Sequence, residues 1–221
     1  MAAAKFTRLC TLVAVSSFAA RGQQSPVASP SSVTVVLILD VSWSVSQQAL
    51  RLDDRFVRIF NAFLQKLQPA DRGGVGVLAN TLRLGPLTSD PRQLSASVRG
   101  LLQVADGDRL GPTPIWDALD EATSYVATDS GRPAIILYSD GRSTGNRHGL
   151  SEVIDHATRA GVIVHVVIPP QSYTVDRLNP ADLLDRLATA TGGRRWMEMR
   201  LPGSAAALVG QAMDVLHQPV K

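Results

Sequence analysis

The stretch VLILDVSWSVS, residues 36–46, runs from an unbroken apolar segment into an acid, Asp40, and then into hydroxyls at every second position, Ser42, Ser44 and Ser46. It closes a longer run, 33–39, of β-branched and aliphatic residues interrupted only by Thr34, which is the composition of a strand buried on both faces. An ordinary loop has no use for a carboxylate at the end of such a strand followed by alternate serines. Oxygens at i, i+2 and i+4 in a turning loop aim at one point, which is what a hard cation needs.

Further along, PAIILYS (133–139) is a second buried strand that ends on an acid, Asp140, and VIVHVVI (162–168) is a third. VGVLAN (75–80) and TLRLGPLT (81–88) are two short strands whose close connection makes an edge hairpin, and RRWMEM (194–199) holds a last short strand. Between them lie helical patterns over 49–67, 91–104, 115–128, 150–160, 180–191 and 204–217. The first carries Leu52, Phe56, Ile59, Phe60, Phe63, Leu64 and Leu67 on one face, and the second opens with Asp90 as cap and Pro91 at the first helical position. Alternation of apolar strands with helices defines an α/β fold: three layers, doubly wound and Rossmann-like, around a mostly parallel six-stranded sheet. In such sheets ligands sit beyond the carboxyl ends of the strands, where the strand order reverses. Asp40 and Asp140 both stand at that edge.

The chain has 221 residues, 45% hydrophobic and 19% charged, which suits one domain with a substantial core. Its first twenty residues, MAAAKFTRLCTLVAVSSFAA, have the layout of a secretory signal peptide, and residues 21–32 read as a tether. A cut after Ala20 removes Lys5 and Arg8, so 22 basic residues become 20 against 19 acidic ones, and the net charge falls from +3 to about +1. The basic balance therefore gives no reason to expect a nucleic-acid partner. The single cysteine, Cys10, lies in the signal and gives no disulfide. No apolar run after it approaches the ~20 residues of a membrane span. The expected setting is periplasmic or secreted.

Asp40, Ser42 and Ser44 gain company downstream. Thr113 stands in GPTPIWDAL just ahead of a helix, and Asp140 is followed by Gly141 at the strand end. Two carboxylates and three hydroxyls form an all-oxygen set, which favours Mg²⁺ or Mn²⁺. Asp-x-Ser-x-Ser, a distant Thr and a distant Asp-Gly, in this order and on these elements, resemble the von Willebrand factor type A (VWA) domain and its metal-ion-dependent adhesion site, and the exported setting is similar to bacterial VWFA-related proteins. The resemblance implies a VWA domain over 33–217, a tail over 218–221 and one antiparallel edge strand. It also implies direct metal contact by Ser42, Ser44 and Thr113, water-mediated contact by Asp40 and Asp140, and a protein partner whose acidic residue completes the site. The family has Gly where Trp43 stands, so the indole is expected on the rim, together with Arg109, Arg142, Arg147 and His148, which would attract acidic partners.

Two other functions compete. GRSTG (141–145) matches the Gly-x-Ser-x-Gly elbow of serine hydrolases, with Ser143 as nucleophile, Asp176 or Asp182 and then His217 following in order. Asp140 and the NRHG segment interrupt the strand–turn–helix that such an elbow requires. A metal-free structural module is the other. Of the remaining features, His165 is expected as a core histidine with its hydrogen bonds satisfied, Trp116 and Trp196 as packing residues, and Asp106 and Asp108 as solvated. The function read from the sequence is metal-dependent protein binding, without catalysis.

Overall fold

A computed structural model describes residues 32–46, 52–105, 110–170, 179–199, 201 and 203–218, the side chains of 52 and 53 excepted. In chain order the elements are β1 (Val33–Asp40), α1 (Trp43–Ser46), α2 (Leu52–Lys66), β2 (Arg72–Leu78), β3 (Leu82–Leu84), α3 (Pro91–Ala105), α4 (Ile115–Val126), β4 (Arg132–Tyr138), α5 (Leu150–Arg159), β5 (Ile163–Ile168), α6 (Pro180–Ala190), β6 (Arg195–Met197) and α7 (Ser204–Leu216). Residues 1–31, which hold the expected signal and most of the expected tether, and residues 106–109 and 171–178, and therefore Arg109, Asp106, Asp108 and Asp176, lie outside the described residues.

The sheet has the order β3-β2-β1-β4-β5-β6. All pairs are parallel except β2–β3, the hairpin at the edge. The central strand β1 is buried along its whole length, and the period of two divides its side chains between two cores. Val33, Val35, Leu37 and Leu39 face Phe56, Ile59, Phe60 and Phe63 of α2, with α3 and α7 beside them. Val36 and Ile38 face α4, α5 and α6. Asp40 falls on the α4 side by the same alternation.

After β1 the chain winds outward through β2 and β3, then returns to lay β4 on the other side of β1 and winds away through β5 and β6. The reversal lies between β1 and β4. There Leu39 is in register with Tyr138, so Asp40 emerges beside the Ser139–Asp140 corner.

The helix expected over 49–67 is seen over Leu52–Lys66, and the other helix boundaries fall within two residues of expectation, whereas β2 starts three residues before the expected 75 and β3 ends four before the expected 88. One element escaped the periodicity: the segment after Asp40 closes into a single helical turn, α1, with the Ser46 amide donating to the Ser42 carbonyl at 2.9 Å. Four residues are too few to show a hydrophobic period.

Candidate metal centre at the carboxyl edge of the sheet

Asp40 has no solvent exposure. Its carboxylate accepts hydrogen bonds from the Ser139 hydroxyl (2.6 Å) and from the Ser42 amide (2.9 Å). Among the described residues it forms no ion pair. Burial pushes its carboxyl up to about 6; the bonds from Ser139 and Ser42 work against that rise, and the charge of Asp140 adds to it. Among the described residues, hydroxyl and amide dipoles are what stabilise its charge.

The α1 turn positions the two serines after Asp40. It brings the Ser42 and Ser44 hydroxyls to 3.4 Å from each other. Trp43 between them points outward, 54% exposed. Ser46, the third of the alternating serines, is buried and its hydroxyl bonds back to the Trp43 carbonyl at 3.4 Å, so it completes the helical turn instead of joining the other two.

Asp140 and Thr113 come from two further loops, and both are nearly buried, at 5% and 6% exposure. The Arg142 amide donates to Asp140 Oδ1 at 3.0 Å, and the Arg142 guanidinium stands 3.8 Å from Oδ2. Gly141 makes the corner with φ +79°, in the left-handed region, and a Cβ there would lie 2.9 Å from the Pro180 carbonyl oxygen. Its amide donates to the Ser139 hydroxyl at 3.0 Å, so Ser139 links the Asp140 corner to Asp40. Ser139 was not singled out from sequence; its only sequence signal is a hydroxyl at the end of an apolar strand, directly before the acid. Thr113 is bound to the loop after β4 on both sides of its peptide: its amide donates to Thr144 Oγ1 and its carbonyl accepts from the Thr144 amide, each at 2.9 Å.

The expected rim is partly committed elsewhere. The amides of Arg147 and His148 and the His148 ring all bond to Asp117 on α4, and the Arg147 side chain lies 3.2 Å from the same carboxylate. Burial works upward on Asp117, but the His148 and Arg147 amides and then their side chains hold its carboxyl down at about 2. An ionised carboxylate only accepts, so His148 donates through Nδ1. His165 is core, as expected, yet only half satisfied: Nδ1 accepts the Arg194 amide at 2.9 Å while buried Nε2 has no partner among the described residues. Trp116 is buried and Trp196 packs edge-on against His165, 5.2 Å between ring centroids.

The hydrolase arrangement does not form. The Ser143 hydroxyl accepts the Ile115 amide at 3.0 Å and donates to Asn146 Oδ1 at 2.9 Å. His217 bonds to Asp71 at 2.8 Å, and Asp71 also receives the amide of Val33, at the amino end of β1. Eight strand residues, roughly 26 Å, separate that end from the edge where Ser143 lies.

Among the described residues no three His, Cys, Asp or Glu side chains gather around a common point. The five residues expected from sequence to hold a metal, Asp40, Ser42, Ser44, Thr113 and Asp140, offer oxygen only, with two carboxylates. That chemistry suits a hard divalent cation that retains water and does not suit zinc or copper.

A parallel sheet with one antiparallel edge, helices on both faces and Asp-x-Ser-x-Ser at the switch point define a VWA-type domain. The chain belongs to the family of VWA domain-containing CoxE-like proteins, whose model matches residues 18–191. No curated protein matches it. Among solved structures, it is similar to von Willebrand factor type A from Catenulispora acidiphila, with a TM-score of 0.67 and 17% identity, over 85% of this chain and 43% of that one. It is also similar to the conserved hypothetical protein BatB from Bacteroides thetaiotaomicron, with a TM-score of 0.61 and 21% identity, over 83% of this chain and 98% of that one. The pilus adhesin SpaC from Lactobacillus rhamnosus GG matches with a TM-score of 0.64 and 15% identity, over 84% of this chain and 30% of that one. At these identities the likeness concerns the fold. No helix among the described residues is long and apolar enough to cross a membrane.

Proposed function

We propose that this chain is an exported, divalent-metal-dependent protein-binding domain and that it catalyses no reaction. The observation that carries the reading is Asp40: a fully buried carboxylate, placed at the switch point beside Asp140, with the Ser42 and Ser44 hydroxyls turned together next to it. A cation at that position offsets the cost of keeping Asp40 ionised. Ser42, Ser44 and Thr113 would hold Mg²⁺ or Mn²⁺ through their hydroxyls, with Asp40 and Asp140 behind bound water. The metal supplies an open, hard coordination position, for which an acidic side chain of a protein partner is the matching ligand.

Trp43 would form the wall of the opening. The adhesin among the fold relatives supports a binding role, and the signal-like residues 1–20, with a tether over 21–32, support export to the periplasm or beyond. Ser143 is bonded to the start of α4 and is not poised for attack, which favours binding over hydrolysis.

The test uses the indole between the two serines. Titrating the 21–221 chain with Mg²⁺ or Mn²⁺ should change Trp43 emission saturably, and EDTA should reverse the change. Ser42→Ala with Ser44→Ala should abolish it. An unchanged response in that double variant would place metal binding away from these serines, and a parent without any response would leave a metal-free structural module as the better reading.

A further inference from the structure

The function leaves unexplained why the long loop after β4 is bonded so densely to the start of α4. Helix α4 begins with a deficit. Its N-cap is Pro114, which offers no side-chain acceptor, so the first free amides of the helix need partners from elsewhere. Besides the Thr113 carbonyl, which takes the Ile115 amide at 3.0 Å, they find them about thirty residues away in sequence. Ser143 Oγ accepts the Ile115 amide at 3.0 Å, and Asn146 Oδ1 accepts the Trp116 amide at 2.9 Å. Ser143 and Asn146 also bond to each other at 2.9 Å, which fixes both acceptors at once. Thr144, between them, takes both the N–H and the C=O of Thr113. The lacing is reciprocal, because Asp117 in the first turn of α4 accepts the Arg147 and His148 amides at 2.9 Å each. Gly145 closes the fit: its φ is +71°, and a Cβ there would lie 2.8 Å from Pro112 Cβ.

We infer that Ser143, Thr144 and Asn146 form a clamp that sets the position of the Thr113 hydroxyl relative to Asp140, and that they are positioning residues for the oxygen site. The inference rests on the metal reading above and deepens it. The Gly-x-Ser-x-Gly match thereby has a physical purpose unrelated to nucleophilic attack. The bonds engage the Thr113 peptide on both sides, and its hydroxyl takes part in none of them. The same loop begins at Asp140. One short segment therefore indexes two of the five proposed site residues against each other, although they are 27 residues apart in the chain. Groups that orient metal ligands in this way change metal affinity by about 10–100-fold when removed.

The experiment is calorimetric Mn²⁺ titration of the parent, of Asn146→Ala alone and with Ser143→Ala, and of Asn146→Asp, which retains an acceptor oxygen. Amide hydrogen exchange at Ile115 and Trp116 is followed in the same proteins. The expected result is Mn²⁺ binding weakened by about tenfold or more in the alanine variants. The two amides should exchange faster in those variants, and both properties should return toward the parent in Asn146→Asp. If the double variant does not fold, Asn146→Ala alone carries the comparison. Parent-like Mn²⁺ affinity in an alanine variant whose Trp116 amide exchanges fast would overturn the clamp and leave the metal reading intact. A parent that takes no Mn²⁺ would overturn both.

Discussion

His165 shows how far a single residue's surroundings can move its chemistry. Burial, and then the positive charges of Arg194 and Arg132, hold its imidazole down at about 4, against an ordinary value of 6.5. The unfolded chain therefore takes up this proton at a higher pH than the folded one does. Stability should fall as pH drops from about 6.5 to about 4, by up to about 3 kcal/mol from this group. Asp40 works the other way in the metal-free protein, since its carboxyl is pushed up to about 6. Comparing parent with His165→Gln isolates the histidine: urea unfolding between pH 4 and 7 should show a shallower acid slope in the variant, and parallel slopes would exclude the assignment. Such a position is legible in the sequence only in part. VIVHVVI places His165 inside a strand, but which of its nitrogens finds a donor depends on Arg194, which comes in from the start of β6.

At the scale of elements, the two ends of the sheet do different work. The carboxyl edge holds the residues proposed for the metal, and the amino edge is closed by Asp71, which is 2% exposed. Asp71 accepts the Val33 amide (3.0 Å), the Gln68 amide (2.7 Å) and His217 Nε2 (2.8 Å), and so joins the start of β1, the turn after α2 and the end of α7. Asp71→Ala would leave the buried Val33 amide unpaired, at a cost of about 2–3 kcal/mol, while His217→Ala should cost about 1 kcal/mol. Neither should alter Mn²⁺ affinity, because the centre lies at the far edge. Denaturant melts and metal titration of the same two variants check this, and a loss of Mn²⁺ binding in either would show that the two edges are coupled. Apolar period and strand composition made the elements legible, because burial of whole faces leaves a repeating signature. The α1 turn was not legible, because its signal is a few local hydrogen bonds.

For the molecule as a whole, the candidate centre links binding to stability. A ligand that binds only the folded state stabilises it by roughly 2.7 kcal/mol at about 100 times its dissociation constant. Mg²⁺ or Mn²⁺ should therefore raise the melting temperature by about 5–10 °C for a domain of this size. Asp140→Asn removes one of two neighbouring negative charges. It should melt at or slightly above the parent in EDTA and lose most of the metal-induced rise. Scanning calorimetry with and without the metal decides the matter: a variant that melts far below the parent in EDTA would make Asp140 a residue of the fold first.

The sequence alone determined the α/β alternation, the edge hairpin, the two acids at strand ends and the hydroxyls proposed as their companions, because each is carried by local composition or by spacing of a few residues. Only the tertiary structure decided that Asp40 is fully buried and bonded to Ser139, that the α1 turn takes Ser46 out of the oxygen set, and that Arg147 and His148 are held by Asp117. It also decided that Ser143 caps a helix that begins 28 residues earlier in the chain. The reason is range. Strand and helix patterns reflect which faces are buried, which the chain records in its own period. Hydrogen bonds between residues about thirty or a hundred positions apart depend on which strand ends the winding of the sheet brings together, and no local pattern encodes that.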